Sequence, residues 1–322
     1  MNEPSTGSWG ALPDESEVLE YFDRYSNWNR WGSDDELGTL NFVTAEKRVE
    51  ASRLVRSGAV ASCARIVDTL SEPNDEMGPP QRFVTRTSRT ALAGNRGGRE
   101  GGASDYFGMI YHGVRVTHID ALSHVFWDDT AYNGVPADVV AVPDGARKLD
   151  VTSAKQGVFT RGLLVDAARF RGVDWMEAQQ SVSGDEVRAI LASEGLELLP
   201  GDALLLRTGY GKKLAAQGPD DMARDGQAGW HASCLPLFYE ESISMIAADT
   251  TTDVEPSGYQ NIQYPIHAVG IRSMGLWLVD NCGLEELAAL CESEQRWEFA
   301  LAVSVVPFKG LTGGPVNPLA LF

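Results

Sequence analysis

The sequence has few cysteines and no long run of apolar residues. Its four cysteines, Cys63, Cys234, Cys282 and Cys291, show no C-x-x-C spacing, so we expect reduced thiols in a cytoplasmic protein. No stretch approaches the roughly 18 apolar residues of a membrane-spanning helix. The first residues also lack the basic start and apolar run of a secretory signal. We therefore expect a cytoplasmic protein without a membrane partner.

Positive charge is scarce as well. The chain carries 27 Lys and Arg against 45 Asp and Glu, a formal net charge of −18. Nucleic-acid binding depends on cationic contacts with phosphates, and no stripe of Lys or Arg offsets the negative field. We therefore expect no nucleic-acid partner. The charge itself does not identify the expected partner, a small-molecule substrate. The composition, 43% hydrophobic and 22% charged over 322 residues, is typical of a globular protein.

Short apolar segments alternate with amphipathic segments in the second half of the chain. Strands are predicted at residues 158–166, 203–207, 243–248, 274–279 and 300–306. Helices are predicted after a capping box that begins at Ser183, and over residues 284–292. These elements do not follow the regular strand–helix period of a doubly wound sheet. The pattern predicts a single α/β domain with a mixed sheet and without internal repeats.

Two segments outside these elements have unusual composition. The first forty residues are rich in Trp, Asn, Asp and Gly, which predicts an irregular N-terminal arm (1–40) that docks onto the main domain (41–322). Residues 92–108 are rich in glycine but lack the preceding strand, the following helix and the Lys-Ser/Thr pair of a phosphate-binding loop. We interpret this second segment as a mobile lid or connector.

Three of the five histidines, His112, His118 and His124, fall within thirteen residues. In an extended segment His118 and Asp120 point to the same face, where an imidazole and a carboxylate can bind one divalent cation at about 2.0–2.2 Å. A turn over residues 121–123 would return His124 to the same place. On a straight strand His112 would lie about 20 Å from His118, so it can share the ion only if the chain bends.

A structural alternative is a strand whose histidines only form hydrogen bonds, with Asp120 as a helix cap. The spacing H-x-D-x-x-x-H favours the metal site, because three metal-competent side chains would otherwise converge by chance. A further histidine, His231, precedes Ser233 and Cys234. No G-x-S-x-G turn is present, and we interpret His231 as a buried, hydrogen-bonded residue rather than part of a nucleophile pair.

The segment around His118 resembles the H-x-G-T-H-x-D-x-x-x-H signature of the metal-dependent cyclase family, which includes bacterial kynurenine formamidases and isatin hydrolases. Later segments resemble other elements of that family: Tyr264-Pro265-Ile266-His267 its P-x-H element, residues 275–281 its Glu-Asn strand, and residues 246–250 the strand and turn before P-x-H. The segment through Trp31 and residues 38–41 resembles the start of longer members. The similarity covers the chain from about residue 30 to its end.

This resemblance implies a swivelling β/β/α fold, a divalent metal (Zn or Mn), and a protein that is often a homo-oligomer. It implies that the metal ligands are His118, Asp120, His124, His267 and Asp280. Asp120 would bridge if two ions are present, and His124 would be either a ligand at a second ion or the general base. We expect Asp249 and His112 to lie behind these ligands and contact them rather than the ion.

The sequence departs from the family pattern at three positions. Val114 stands where the first histidine of the signature falls, and Val116 stands where its glycine falls. Valine cannot ligate a metal, so a ligand is missing or comes from elsewhere. Asp280 replaces the usual glutamate and is one methylene shorter. These departures leave a one-ion site and a two-ion site equally compatible with the sequence.

The expected reaction is hydrolysis of an amide, cyclic amide or lactone by water that the metal activates, with His124 transferring the proton. Trp31, Phe126 and Trp127 would form an aromatic wall for a flat substrate, unless they pack in the core. One alternative is a metal-dependent cyclase or dehydratase that acts on a polyketide-like intermediate. The other is a catalytically altered binding protein in which Val114 has left the ligand set incomplete.

Overall fold

The computed structural model describes residues 11–71, 78–87, 102–219 and 221–322, which form short helices around one large sheet. The α-helices are α1 (Glu15–Arg24), α2 (Ala45–Ser52), α3 (Ala167–Phe170), α4 (Gly184–Ser193), α5 (Tyr210–Gln217), α6 (Met222–Asp225), α7 (Leu235–Glu240), α8 (Pro265–Val269) and α9 (Glu285–Glu294). Short 3-10 segments lie at Gly38–Phe42, Tyr132–Gly134, Ala137–Val139, Val151–Ala154 and Ala232–Cys234, and a π-helical turn lies at Gly270–Met274.

The β-strands are β1 (Val60–Ser62), β2 (Gln81–Arg86), β3 (Ser104–Gly108), β4 (His118–Asp120), β5 (Val140–Ala141), β6 (Gly145–Ala146), β7 (Val158–Asp166), β8 (Ser181–Val182), β9 (Ala203–Arg207), β10 (Gly229–Trp230), β11 (Met245–Ala248), β12 (Trp277–Asp280), β13 (Glu298–Val303), β14 (Gly313–Pro315) and β15 (Leu319–Leu321). Nine of them form the large sheet in the order β1-β15-β13-β7-β9-β11-β12-β4-β14.

The large sheet is parallel at its centre and antiparallel on both flanks. The four neighbours β7, β9, β11 and β12 pair in parallel, and β9, β11 and β12 are buried along their whole length. Continuous apolar runs of this kind are typical of parallel strands covered on both faces. The arrangement confirms the predicted mixed α/β fold, and the five predicted strands match the observed ones within three residues at each end.

The prediction of an irregular N-terminal arm is wrong for residues 15–24, which form α1. The Asp14 side chain caps this helix, and Val18 and Phe22, four residues apart, are buried against α8 and the π-helical turn. This one-sided apolar pattern stabilises a helix in spite of the polar composition around it. As expected, a tryptophan docks onto the body: the Trp28 indole N–H donates to the Arg272 carbonyl at 2.8 Å.

The glycine-rich segment is only partly described. Residues 92–101 lie outside the described ranges, and so does this part of the predicted lid or connector. Residues 104–108 form β3, which pairs antiparallel with β2, so an irregular connector is the wrong prediction there. Aromatic residues favour a strand at this position, and Tyr106 stacks on Phe83 across the pair with ring centroids 5.9 Å apart.

The sheet positions the candidate site through β4 and β12. These two strands are antiparallel neighbours, and the register places His118 opposite Asp280. All seven residues of the two strands are buried, so their polar side chains sit inside the protein. The four cysteines are buried and unpaired. Within the described ranges, no helix is long and apolar enough to cross a bilayer.

Candidate metal centre

The carboxylate of Asp120 lies at the centre of a cluster of imidazoles. The nearest nitrogens are His112 Nδ1 at 3.0 Å, His267 Nε2 at 3.3 Å, His118 Nε2 at 3.5 Å and His124 Nε2 at 3.9 Å. The carboxylate of Asp280 adjoins the same cluster, 3.4 Å from His267 Nε2 and 3.9 Å from His118 Nε2. The structure therefore brings together all five ligands predicted from the sequence, and adds His112 to them.

Polar atoms at the centre of this cluster lack hydrogen-bond partners. Both carboxylate oxygens of Asp120 are buried without one, and so is His112 Nδ1. A buried polar group left unsatisfied costs about 1–3 kcal/mol, and each such group in a native protein needs a physical reason. Imidazole nitrogens with carboxylate oxygens are the donor set of zinc and related divalent cations. The cluster therefore fits a divalent cation.

Two groups of these candidate ligand atoms share one residue. One group is His112, Asp120 and His124, and the other is His118, Asp120 and Asp280; within each group the ligand atoms lie within 4.8 Å of one another. Because Asp120 belongs to both groups and has two oxygens, it can serve one ion alone or bridge two. The geometry is compatible with either number of ions.

Three of the four imidazoles are held by a hydrogen bond on the nitrogen that faces away from Asp120. His118 Nδ1 donates to the Val116 carbonyl at 2.8 Å, His112 Nε2 lies 3.1 Å from Thr312 Oγ1, and His267 Nδ1 lies 2.6 Å from Asp253 Oδ2. Such bonds fix the ring and leave the other nitrogen for a metal. His124 differs, because its ring stacks on His112 at 3.8 Å and forms no hydrogen bond with the described residues.

His112 reaches the cluster because the chain bends between residues 112 and 116. Gly113 at the bend has a φ of 155°, a conformation that residues with a Cβ rarely adopt. The Asn281 side chain holds the bend by donating to the carbonyls of Gly113 and Val116. His112 thus contacts the predicted ligand Asp120, as expected, and its Nδ1 also lies close enough to Asp120 and His124 to serve as a ligand itself. Val114 contributes no ligand atom.

Asp249 does not contact the predicted ligands, so the expectation that it lies behind them is wrong. Its carboxylate accepts hydrogen bonds from the backbone of residues 208–210 and from the Thr208 hydroxyl, so it holds the start of α5. The carboxylate behind the cluster is that of Asp253, which accepts from His267 Nδ1 and from the backbone N–H groups of Ile266 and His267. Both aspartates belong to one acidic run, and the sequence does not reveal which of them faces a histidine.

The imidazoles and carboxylates shift one another's pKa values. Although burial opposes ionisation, His124, His112 and His267 hold the pKa of Asp120 well below its usual range. Burial lowers the pKa of His124 to about 4. Burial also opposes the charged form of His267, but the carboxylates of Asp280, Asp120 and Asp253 raise its pKa well above the usual value. The pKa shifts therefore favour an anionic Asp120 and a neutral His124, whereas His267 holds a proton more tightly than a free imidazole.

A cavity of about 370 Å³ opens onto the cluster, and we call it the metal-centre cavity. Besides the histidines and Asp280, its walls include Val125, Phe126, Trp127, Ile262 and Tyr264. Trp127 is held from behind by Phe22 of α1, with ring centroids 4.6 Å apart and planes at 18°. Two of the three predicted wall residues, Phe126 and Trp127, line this cavity.

Trp31, the third predicted wall residue, does not line the cavity. Its ring packs edge-on against Phe42 with centroids 5.0 Å apart, and the Arg30 guanidinium lies 5.3 Å from its centroid. Local packing against the 3-10 segment at Gly38–Phe42 explains this position. His231 is also absent from the cavity: it is buried, and its Nδ1 lies 3.1 Å from the Ser233 backbone nitrogen, as interpreted from the sequence.

Replacing Asp253 with asparagine should weaken metal binding, because the charge that orients His267 is lost. We expect a metal affinity about 10–100-fold lower, the usual effect of losing such a supporting carboxylate. Asp249→Asn is a matched control, since it removes a buried aspartate four residues away that does not touch His267. It should lower the melting temperature and leave the affinity of the folded protein unchanged. Equal losses of affinity in both variants would contradict this role of Asp253.

Comparisons with known proteins agree with this architecture. Residues 49–254 match the model of a family described as "Putative cyclase". A crystal structure described as a novel cyclase is similar over 92% of this chain and 100% of its own, with 30% identity and a TM-score of 0.80. Isatin hydrolase A from Labrenzia aggregata, bound to benzyl benzoate, is 18% identical over 84% of this chain and 94% of its own, with a TM-score of 0.56.

Isatin hydrolase A from Ralstonia solanacearum is 18% identical over 81% of this chain and 91% of its own, with a TM-score of 0.57. No curated protein sequence matches the chain significantly. At these identities the two isatin hydrolases show a common fold, and the similarity as a whole confirms the fold predicted from the sequence.

Proposed function

The chain belongs to the cyclase family, and from this premise we propose that it is a metal-dependent hydrolase of an amide, cyclic amide or lactone bond. One observation carries the proposal: four imidazoles and Asp280 converge on the buried Asp120 carboxylate, whose two oxygens have no hydrogen-bond partner. A buried carboxylate surrounded by imidazole nitrogens is stable when a cation balances its charge and is bound by these atoms.

His112, His118, Asp120, His267 and Asp280 would hold the metal, with zinc and manganese as the proposed ions. When bound, a divalent cation supplies Lewis-acid activation of water and of the scissile carbonyl. The hydrogen bonds of His118, His112 and His267 support this assignment, since each ring is fixed with one nitrogen directed at Asp120. The alternative of a catalytically altered binding protein depends on an incomplete ligand set, because Val114 provides no ligand. His112 argues against this alternative, since its Nδ1 lies 3.0 Å from Asp120.

His124 is the proposed proton-transfer group. Its imidazole lines the metal-centre cavity, lies 3.9 Å from Asp120, and has no hydrogen bond that would fix its ring within the described part of the chain. In the reaction the oxygen of water bonds to the carbonyl carbon, and the bond from that carbon to nitrogen or oxygen breaks. His124 accepts a proton from the attacking water and donates it to the leaving atom.

The walls of the cavity favour a flat apolar substrate. Phe126, Trp127 and Tyr264 present aromatic surface beside the cluster, and the cavity volume of about 370 Å³ suits a small molecule. Isatin, the compound named for two of the similar structures, is itself an aromatic cyclic amide. We therefore propose an aromatic or similarly flat ring whose carbonyl is directed at Asp120 and the imidazoles.

Removal and return of the metal tests this proposal. Protein stripped with a chelator should lose hydrolysis of at least one member of a panel of aryl formamides, cyclic imides and lactones. Zinc or manganese should restore it, and mass spectrometry should show net addition of one water. A product formed by loss of water would favour the cyclase or dehydratase reaction instead. Folded protein with full metal occupancy that hydrolyses no member of the panel would contradict the proposal.

A further inference from the structure

A second cavity lies beside the metal-centre cavity and shares part of its wall. It has a volume of about 390 Å³, and we call it the side cavity. Its lining includes Arg65, Val67, Val116, Tyr210, Leu214 and Pro219. Val114 and Met222 line both cavities. These two side chains therefore form the boundary between the space in front of the imidazoles and the side cavity.

The bend that brings His112 to the cluster also creates this boundary. The Val114 carbonyl accepts a hydrogen bond from Arg65 at 2.9 Å, and the Asn281 side chain donates to the Gly113 carbonyl at 2.5 Å. The Arg65 guanidinium lies 4.9 Å from the centroid of the Tyr210 ring, which is part of the side cavity wall. The backbone on either side of Val114 is thus fixed, and its side chain stands between the two cavities.

The surface of the side cavity is mainly apolar. Val67, Val116, Leu214 and Met222 contribute aliphatic groups, and Pro80 and Pro219 add further apolar surface, beside the charged residues Arg65, Asp68 and Arg115. Valine at position 114 extends this surface to the boundary, where a histidine would have placed a polar ring. An apolar group that crosses the boundary would leave water and pack against the aliphatic part of this wall.

We propose that the side cavity binds an apolar alkyl or aryl extension of the substrate, attached to the ring whose carbonyl lies in the metal-centre cavity. Val114 and Met222 then determine which extensions can pass. The inference rests on the proposed function, because the carbonyl end is placed by the metal centre. Its support is that the two cavities adjoin at these shared residues and that aliphatic side chains form much of the wall of the second one.

Binding of hydroxamic acids tests this arrangement without relying on hydrolysis. The hydroxamate group chelates divalent metals, so acetohydroxamic and octanohydroxamic acid present the same head and different tails to the zinc-loaded protein. Burying a methylene improves affinity by about fourfold, and we expect octanohydroxamic acid to bind at least about 30-fold more tightly than acetohydroxamic acid by calorimetry. Equal dissociation constants for the two compounds would overturn the side cavity as a subsite.

Substitutions of Leu214 distinguish the side cavity from the metal-centre cavity. This side chain is partly exposed on α5 and lines the side cavity but not the metal-centre cavity. Leu214→Trp fills the space and should reduce the 30-fold preference to about threefold or less. Leu214→Ala enlarges the space and should shift the preference towards tails that end in a phenyl ring. Circular dichroism would reveal a variant that fails to fold. The two substitutions change the tail preference in different ways, so either folded variant tests the inference by itself.

Val125→Ala is the matched control, because Val125 lines only the metal-centre cavity. It should leave the ratio of the two affinities close to that of the unaltered protein. A change of the ratio as large as that in the Leu214 variants would overturn the inference, since the tail would then lie in the metal-centre cavity. If neither hydroxamate binds to folded, zinc-loaded protein, the proposed metal site itself fails, and the subsite fails with it.

Discussion

Replacing Asp120 with asparagine is expected to abolish metal binding and hydrolysis together. Asparagine keeps the shape of the side chain but removes the negative charge that four imidazoles surround. Loss of this central ligand should lower metal affinity by more than the about 100-fold that loss of a supporting carboxylate can cause. We expect kcat/KM to fall by at least about 1000-fold, which corresponds to about 4 kcal/mol of transition-state stabilisation.

Two measurements test this prediction. The first is the metal content after dialysis against buffered zinc, and the second is kcat/KM at saturating zinc. Asp174→Asn is the control, because the Asp174 side chain is 75% exposed and pairs with Lys212 at the surface. Exposed pairs of this kind contribute about 0–1 kcal/mol, so this variant should match the unaltered protein in both measurements. An Asp120→Asn variant that keeps stoichiometric zinc would show that the metal is bound elsewhere.

Replacing His112 with alanine is the second substitution with a large expected effect. Because His112 Nδ1 is buried, directed at Asp120 and without a hydrogen-bond partner, it is the proposed substitute for the ligand that Val114 cannot provide. We expect metal affinity to fall by about 100-fold. We also expect kcat to fall at saturating metal, since the ring that stacks on His124 is lost.

Val114→Ala is the matched control for His112→Ala, because it shortens a side chain in the same bend without removing a nitrogen. Metal affinity, measured by competition with a chromogenic chelator, should be unchanged in this control. If His112→Ala retains the full affinity and loses only kcat, His112 supports the ring of His124 and is not a ligand. If both variants lose affinity equally, the bend itself matters and the imidazole does not.

The central residues of the site could be predicted from the sequence because the relation between them is local. His118 and Asp120 are two residues apart, and an extended backbone places such residues on one face whatever surrounds the strand. The strands β7 and β9 were predicted with the correct bounds for a similar reason. Each ends in at least three consecutive apolar residues followed by a charged side chain, a pattern that depends on few distant contacts.

Several features could not be predicted because they depend on contacts between distant parts of the chain. His112 reaches Asp120 only through a bend that the Asn281 side chain holds across 168 residues of sequence. The choice of Asp253 rather than Asp249 depends on where α8 places His267. Hydrophobicity and spacing do not predict either contact. The Asn281 amide and the His267 imidazole belong to elements that are distant in sequence from the residues they contact.

The N-terminal segment and the Val114 position show the same division. Composition indicates an arm that docks onto the body. The tertiary structure shows in addition that Phe22 of α1 packs behind Trp127 in the wall of the metal-centre cavity. The sequence identified Val114 as the missing ligand of the signature. The tertiary structure placed His112 against Asp120 instead and set Val114 between two cavities. Sequence alone determined the strands and the His118–Asp120 pair through local backbone geometry, whereas long-range hydrogen bonds and packing decided what completes and surrounds that pair.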